Sequence, residues 1–143
     1  MISLVMDTSN SYLAVGLFKD NMCLEAFQEK GSRRQSEKAI PSLKEVLDRH
    51  HIALKDVNEM IITSGPGSYT GVRVAMTIAK TLAAVSDVRI KSVSSLAAYA
   101  GMNQALSVID ARGHKVFVGV YENGLPLIKE QVMTLEDFTQ LRA

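Results

Sequence analysis

Apolar and polar positions along the first 28 residues predict three antiparallel β-strands. Short apolar runs occupy residues 2–6, 12–18 and 22–28, and turn-forming residues separate them. The cluster Asp7-Thr8-Ser9-Asn10 follows the first run, and Lys19-Asp20-Asn21 between the second and third runs predicts a hairpin turn. We therefore expect the chain to open with three consecutive strands of one sheet.

A glycine-rich stretch near the middle of the chain predicts a strand, a turn and a helix. Residues 60–63 form a short apolar strand pattern, Gly65-Pro66-Gly67 and Gly71 interrupt it, and residues 72–85 carry helical apolar spacing. The glycines allow two interpretations: a tight turn with positive φ, or a nest of N–H groups at a helix N-terminus that holds an anion such as phosphate. The spacing matches neither the P-loop nor the dinucleotide fingerprint, and we favour the turn.

Two helices carry patterns that suit close packing. In the helix predicted over residues 72–85, alanine recurs every four residues, at Ala75, Ala79 and Ala83. These small side chains form a narrow ridge that faces either the helix's own sheet or another subunit. The earlier helix is predicted from Ser36 to about residue 50, with Pro41 in or near its first turn. Its apolar stripe consists of Ile40, Leu43, Val46 and Leu47. The adjacent histidines His50 and His51 end it and point to different faces, which makes them a poor metal clamp.

The opening pattern returns in the last third of the chain. A strand over residues 89–93 and a helix that Ser94 or Ser95 caps, running to Met102, precede it. Residues 106–110 then echo residues 4–7, with Asp110 in the place of Asp7, and residues 116–121 match residues 13–18 without a gap. A second turn, Glu122-Asn123-Gly124, and a helix capped by Thr134 complete the match. The sequence thus predicts a duplicated βββαβαβα unit in an α/β fold, with a first lobe over residues 1–104 and an incomplete second lobe over residues 105–143.

Composition excludes several classes of protein. The 143 residues are 47% apolar with a formal net charge of +1, so strong nucleic-acid binding by the chain itself is not expected, and only Arg33-Arg34 hints at a basic patch. The single cysteine, Cys23, cannot form an internal disulfide and is expected to act as a small apolar strand residue. We see neither a signal peptide nor a membrane span, and expect a cytoplasmic protein.

Three stretches carry a family resemblance: Met6-Asp7-Thr8-Ser9, the run from Gly65 to Arg73 with sequence GPGSYTGVR, and Ile109-Asp110-Ala111-Arg112. With the duplicated unit they resemble the TsaB (YeaZ) family of the actin/sugar-kinase/Hsp70 superfamily. The resemblance implies an actin-like, ribonuclease H-like ATPase fold with mixed sheets. It also implies a part in making N6-threonylcarbamoyladenosine at position 37 of tRNA.

The resemblance implies partners as well. In that family a related catalytic protein, TsaD, transfers the threonylcarbamoyl group, TsaB is its non-catalytic partner and homodimerises, and an ATPase called TsaE joins them. Transfer RNA would be met only through the complex. The implied association surface lies on the two first-lobe helices, with the candidate interface residues Ile40, Leu43, Leu47, Arg73, Ala75, Ala79 and Ala83.

The resemblance also bears on cofactors. The catalytic relative carries two histidines four apart after the fifth strand, whereas this chain has Ser95 and Tyr99 there, so no metal site is expected. ATP or ADP with Mg²⁺ at the complex interface stays open. The resemblance places Asp7 and Asp110 beside the cleft where the superfamily's kinases bind nucleotide and Mg²⁺. Two interpretations are open: the two carboxylates bind Mg²⁺ or a bridging water, or each aspartate caps a turn. The candidate nucleotide residues are Asp7, Thr8, Ser9, Gly65, Gly67, Gly71 and Asp110.

Two functional hypotheses follow. The first is a non-catalytic scaffold subunit of the threonylcarbamoyl transfer complex. The alternative is an ATP-dependent phosphotransferase of the same superfamily that uses Asp7, Asp110 and the glycine-rich turn. Peptidase activity, which older names in the wider family suggest, is disfavoured because neither a His-Glu-x-x-His helix nor a Ser/His/Asp set is visible in the sequence.

Overall fold

The computed structural model describes residues 1–30 and 35–142, so the basic pair Arg33-Arg34 lies outside the described residues. The chain begins with β1 (Ile2–Asp7), β2 (Tyr12–Lys19), β3 (Met22–Lys30), α1 (Gln35–Arg49), β4 (Glu59–Thr63), α2 (Tyr69–Val85), β5 (Arg89–Val93) and α3 (Ser95–Ala100). It continues with β6 (Ala105–Arg112), β7 (Lys115–Glu122), β8 (Leu125–Thr134) and α4 (Leu135–Arg142). This order, βββαβαβα followed by βββα, is the order that the internal repeat predicts.

Residues 1–64 and 68–93 form one compact unit around a mixed five-stranded sheet. The strand order is β3-β2-β1-β4-β5, with β1 antiparallel to β2 and parallel to β4. Tight turns join the antiparallel strands, whereas the parallel pairs need longer crossovers, in which α1 and α2 lie. The predicted opening of three antiparallel strands is confirmed.

The core of this first unit lies between its sheet and its two helices. Alternate residues of β2, Leu13, Val15 and Leu17, are buried, as the period of two predicts for a strand with one face on the core. Edge strand β3 is largely exposed and carries charged residues, which discourage pairing with another chain. The buried core residues are Leu4, Met6, Leu13, Val15, Leu17, Ala39, Leu43, Val46, Leu47, Val57, Met60, Ile62, Ala75, Ile78, Ala79 and Val88.

Residues 65–67 and 94–143 form the second compact unit, with a three-stranded sheet in the order β6-β7-β8. Helix α3 packs on it, because Leu96 and Ala100 form a small core with Tyr121. Ser107 ties the helix to the sheet, since its hydroxyl donates to the Leu96 carbonyl at 2.8 Å. By contacts α3 therefore groups with the second sheet, and the division of the repeat into lobes 1–104 and 105–143 stays a prediction.

The two predicted hairpin turns are confirmed and share one geometry. Asp20 and Asn21 join β2 to β3 with φ values of 50° and 66°, and Asn123 and Gly124 join β7 to β8 with φ values of 53° and 79°. Two consecutive residues with positive φ are typical of the type I′ turn, whose twist suits a two-residue hairpin. Asparagine, aspartate and glycine tolerate this backbone conformation best.

The register between β6 and β7 differs from the ungapped match by one residue. Asp7 lies opposite Ala14, so the repeat predicts Asp110 opposite Phe117, yet Asp110 lies opposite Val116. A β-bulge between Asp110 and Arg112 causes this offset. A shift of one residue moves a side chain to the other face of the sheet, so Asp7 and Asp110 differ in their place in the repeat.

Other details of the helices also differ from expectation. Pro41 is the seventh residue of α1, beyond the first turn. It lacks an N–H group for the Glu37 carbonyl, but both residues are exposed, so water can serve that carbonyl. Helix α3 ends at Ala100 instead of Met102, because Gly101 takes a positive φ of 60° there.

Cys23 is exposed, so it does not act as a core residue.

Candidate functional site

A polar turn at the end of β1 is the first candidate site. Oδ1 of Asp7 accepts hydrogen bonds from the backbone N–H of Ser9 at 2.8 Å, the Ser9 hydroxyl at 2.6 Å and the Thr63 hydroxyl at 2.6 Å. The first bond is that of an Asx turn, the second adds the Ser9 side chain to it, and the third joins the ends of the parallel neighbours β1 and β4. This oxygen is thus engaged by the fold, as the turn-capping interpretation requires.

Thr8 and Gly71 hold this turn against the start of α2. The buried Thr8 hydroxyl donates to the Gly71 carbonyl, and the backbone N–H of Ser68 donates to the Ser9 carbonyl at 2.7 Å. A Cβ atom on residue 71 would lie only 1.9 Å from the Thr8 carbonyl oxygen. Close backbone packing therefore accounts for Gly71 without a ligand.

The rest of the glycine-rich segment shapes the turn between β4 and α2. Gly65 has a φ of 96°, which favours glycine, and its carbonyl accepts the Ser95 N–H at 2.9 Å. Gly67 is exposed in the same turn. Ser68 is the N-cap of α2, and its hydroxyl accepts the Gly71 N–H at 3.2 Å. A capping side chain thus already serves one N–H group that an anion would use, which agrees with the favoured turn.

Asp110 belongs to the second compact unit, whereas Asp7, Thr8, Ser9 and Gly71 belong to the first. Its Oδ1 accepts the backbone N–H of Arg112 at 2.8 Å, which is a turn contact like that of Asp7 with Ser9. The one-residue register offset places Asp110 on the sheet face of Val116. A paired action of the two aspartates on one nucleotide stays a prediction.

The predicted interface residues divide into buried and exposed groups. Ile40 is 57% exposed and Arg73 is also exposed, while Ala83 is half-buried. The other four are core residues of the first unit, and the alanine ridge faces the chain's own sheet through two of them. These four buried residues are Leu43, Leu47, Ala75 and Ala79.

Two neighbouring grooves lie on the exposed side of α1 and α2, and we call this surface the helical face. The first groove has a volume of about 290 Å³ and a mainly apolar lining, which includes Leu43, Ile52, Leu54 and Leu82. The second, of about 400 Å³, is lined by Ser36, Ile40, Tyr69, Thr70, Arg73, Val74, Thr77 and Ile78. Ile40 and Ile78 line both grooves, so the two grooves are adjacent.

Arg73 and Tyr69 form a pair at the rim of the second groove. Nη1 of Arg73 donates to the Tyr69 hydroxyl at 3.0 Å, and the guanidinium carbon lies 5.3 Å from the centre of the Tyr69 ring. The residues are four apart on α2, which brings them to one face of the helix. A cation–π contact of this kind holds the charge in place while leaving it exposed to solvent.

Ser95 and Tyr99, which stand where the resemblance places the two histidines of the catalytic relative, have different environments. Ser95 is completely buried and Tyr99 is largely exposed. Among residues 1–30 and 35–142, no three His, Cys, Asp or Glu side chains are grouped so that they could hold a metal ion. His50 instead contacts Glu25, with 3.0 Å between Nε2 and Oε1. The hydrogen bond from Arg49, and to a smaller extent the one from His50, lowers the pKa of Glu25 to about 2.

The sequence did not point to Thr63 or Tyr69 as site residues. Thr63 ends β4 beside the end of β1, and adjacent parallel strands bring their carboxyl ends to one edge of a sheet. That rule was available from the predicted strands and could have paired Thr63 with Asp7. Tyr69 precedes Arg73 by four residues, and this spacing was the available signal for their contact.

The topology and the site geometry define a class of α/β protein, the actin-like ATPase fold, with its mixed sheet and its polar turn after the first strand. The fold prediction is confirmed by YeaZ from Pseudomonas aeruginosa, whose solved structure matches with a TM-score of 0.85 and 28% identity. The match covers 93% of this chain and 67% of that protein.

Sequence comparison gives the family. Residues 28–142 match the family model described as "TsaD: tRNA N6-adenosine threonylcarbamoyltransferase". The "tRNA threonylcarbamoyladenosine biosynthesis protein TsaB" of Bacillus subtilis is 32% identical over 99% of this chain and 66% of its own length. The Escherichia coli protein of the same name is 31% identical over 85% of this chain and 57% of its own length. The chain belongs to the TsaB (YeaZ) family, and it spans 66% or less of these two relatives.

Proposed function

We propose that this chain acts as a non-catalytic scaffold in the biosynthesis of N6-threonylcarbamoyladenosine at position 37 of tRNA. The printed names of the relatives point to this modification. The match to the TsaD family model favours a catalytic partner of that kind, because related subunits often pair through related surfaces. We further propose a homodimer, a TsaE-like ATPase as a second partner, and contact with tRNA only through the complex.

The helical face carries this proposal. It combines an exposed apolar side chain, Ile40, with an apolar groove and a fixed cation, Arg73. An apolar centre with an arginine and a tyrosine at its rim is the usual composition of a protein interface. The occupant we propose is the TsaD-like subunit, which competes there with a second copy of this chain.

The polar turn gives weaker support to the phosphotransferase alternative. Three donors within the fold already occupy Oδ1 of Asp7, and backbone packing accounts for Gly71. Calorimetric titration with Mg-ATP separates the two functions, because a kinase must bind nucleotide and a scaffold need not. Saturable binding, lost in Asp7→Asn, would favour the alternative.

A binding experiment with a matched control tests the scaffold function. Ile40→Asp places a charge in the middle of the helical face, and Met22→Asp places one on an exposed apolar residue of the β2–β3 hairpin. We expect Ile40→Asp to weaken binding to the TsaD-like subunit about 30-fold or more, as for a central interface residue, and Met22→Asp to leave it unchanged. Equal affinities of the two variants would place the interface elsewhere.

A second readout tests the non-catalytic assignment. The purified chain, supplied with tRNA, threonylcarbamoyl-adenylate and metal, should transfer no threonylcarbamoyl group until the TsaD-like subunit is added. Transfer by the chain alone would overturn the proposal.

Residues 1–30 and 35–142 include no helix that is long and apolar enough to cross a membrane. We propose a cytoplasmic location, since tRNA modification of this kind would take place there. Fractionation of cells that express the tagged chain would test this placement.

A further inference from the structure

The tip of the β6–β7 hairpin carries three basic side chains within four residues, those of Arg112, His114 and Lys115. A two-residue loop, Gly113-His114, joins the strands with φ values of 60° and 58°. Arg112 and Lys115 flank this loop and lie directly opposite each other. Residues that lie opposite share a face of the sheet, so the hairpin holds two cations side by side at its tip.

Two like charges at such paired positions destabilise a hairpin. Within residues 1–30 and 35–142, neither Arg112 nor Lys115 forms an ion pair. Asp110 accepts the backbone N–H of Arg112 at 2.8 Å, and Glu136 lines the same groove as Lys115 without pairing with it. The hairpin therefore keeps a repulsion that its own folding does not require.

Two other groups of neighbouring basic residues are neutralised by the fold. Nε of Arg49 donates to Glu25 at 3.1 Å, and His50 contacts the same carboxylate. Nζ of Lys91 lies 2.8 Å from Oε2 of Glu59. The tip of the β6–β7 hairpin differs from both groups, because its cations face solvent without an acidic partner among the described residues.

The internal repeat shows that packing does not require cations at this place. The β1–β2 turn follows Asp7 as the β6–β7 turn follows Asp110, and it contains no basic residue. In that first turn Thr8 and Ser9 are 0% and 2% exposed, because they pack against the start of α2. Residues 112–115 are all exposed. The equivalent turn thus serves packing in the first unit and presents cations to solvent in the second.

We propose that Arg112 and Lys115 contact the phosphate backbone of tRNA when the chain is part of the modification complex. This inference rests on the proposed function, since that function brings an RNA substrate to the complex. Phosphates along a nucleic acid chain supply the negative charges that the two cations lack, which offsets their mutual repulsion. The contact positions the RNA without reading its sequence, because phosphates carry no sequence information. Two such contacts agree with the weak binding expected of a chain with a net charge of +1.

The salt dependence of tRNA binding tests this contact. The complex of the full chain with the TsaD-like subunit is titrated with tRNA at several salt concentrations. Each phosphate contact contributes roughly 0.7–0.9 to the slope of log affinity against log salt concentration. Arg112→Gln with Lys115→Gln should therefore make that slope shallower by about 1.5 and weaken binding about tenfold at low salt.

A control variant and two further measurements accompany the titration. Lys19→Gln with Lys129→Gln removes two exposed lysines elsewhere and should leave the slope unchanged. Urea unfolding should show the Arg112/Lys115 double variant to be at least as stable as the parent, because the repulsion between opposite cations is gone. Light scattering should show the same one-to-one complex for both variants, which separates loss of the tRNA contact from loss of assembly.

Three results would overturn the proposal. The first is an unchanged slope in the assembled double variant; if inorganic phosphate still shifts the NMR signal of Gly113 saturably in the parent, the ligand is a free anion instead. The second is an equal change of slope in the control variant. The third is weaker binding of the TsaD-like subunit at an unchanged tRNA slope, which would assign the cations to an acidic protein surface.

Failure of the proposed function itself gives a different result. If the parent chain forms no complex with the TsaD-like subunit, the scaffold function fails. The titration is then made with the chain alone at low salt, where the same difference in slope between parent and double variant is expected, and equal slopes would overturn the tRNA contact.

Discussion

Replacing Gly71 by alanine tests the account of the glycine-rich turn most closely. A Cβ atom at this position would lie 1.9 Å from the Thr8 carbonyl oxygen, whereas ordinary contact begins near 3.4 Å. The β1–β2 turn and α2 would have to separate by about 1.5 Å, the difference between these distances. That movement weakens the bond from the Thr8 hydroxyl to the Gly71 carbonyl and the bond from the Ser68 N–H to the Ser9 carbonyl.

The magnitude follows from three contributions. Two weakened hydrogen bonds cost about 1 kcal/mol each, and strain in a packed region costs about 1–3 kcal/mol. Alanine gains about 1 kcal/mol over glycine within a helix. We therefore expect Gly71→Ala to lower the free energy of unfolding by about 2–4 kcal/mol.

Urea unfolding followed by circular dichroism measures this change. Lys80→Ala, on the exposed side of the same helix, is the matched control and should stay within about 0.5 kcal/mol of the parent. In a Thr8→Ala background the loss should persist, because the obstructing atom is a backbone oxygen that Thr8→Ala retains. An unchanged stability, or full rescue by Thr8→Ala, would refute the packing explanation.

The remaining predictions concern the end of α1. Because the pKa of Glu25 is lowered to about 2, its ionised form favours the fold; this stabilisation is present above the ordinary pKa near 4.5 and is lost as the pH falls toward 2. In Glu25→Gln the urea concentration at the unfolding midpoint should change less between pH 5 and pH 2 than it does in the parent. If the midpoints of the two proteins changed in parallel with pH, the assignment would be contradicted. His51 lies just beyond α1 with a φ of 55°, where its N–H donates to the Asp48 carbonyl and the Ile52 N–H donates to the Leu47 carbonyl. His51→Gly should raise the free energy of unfolding by about 0.5–1 kcal/mol, since glycine adopts positive φ without steric cost; a loss of stability would count against this.

The sequence predicted the order of elements well because that order depends on local signals. The turns at Asp20-Asn21 and Asn123-Gly124 are encoded by residues that tolerate positive φ, and each lies between two apolar runs. The ungapped match of the repeats indicated the duplication. It could not indicate the bulge after Asp110, because one extra residue changes strand pairing while leaving the apolar pattern intact.

Long-range packing was beyond the reach of these patterns. The contact that requires Gly71 joins residues 63 positions apart, and no local period reports on it. The sequence spacing of an association surface is the same as that of a helix face that packs on its own sheet. This applies to four of the predicted interface residues, Leu43, Leu47, Ala75 and Ala79. These four residues are buried in the core of the first unit, and Ile40 is the exposed apolar member of the predicted set.

The central claim is that this chain works through partnership, and its mass in solution tests that claim most directly. Light scattering after size exclusion would be measured for the chain alone and for the chain mixed with a TsaD-like subunit. The account predicts a dimer alone and a one-to-one complex in the mixture, with both lost in Ile40→Asp. A monomer that stays unchanged in the presence of the TsaD-like subunit would contradict it.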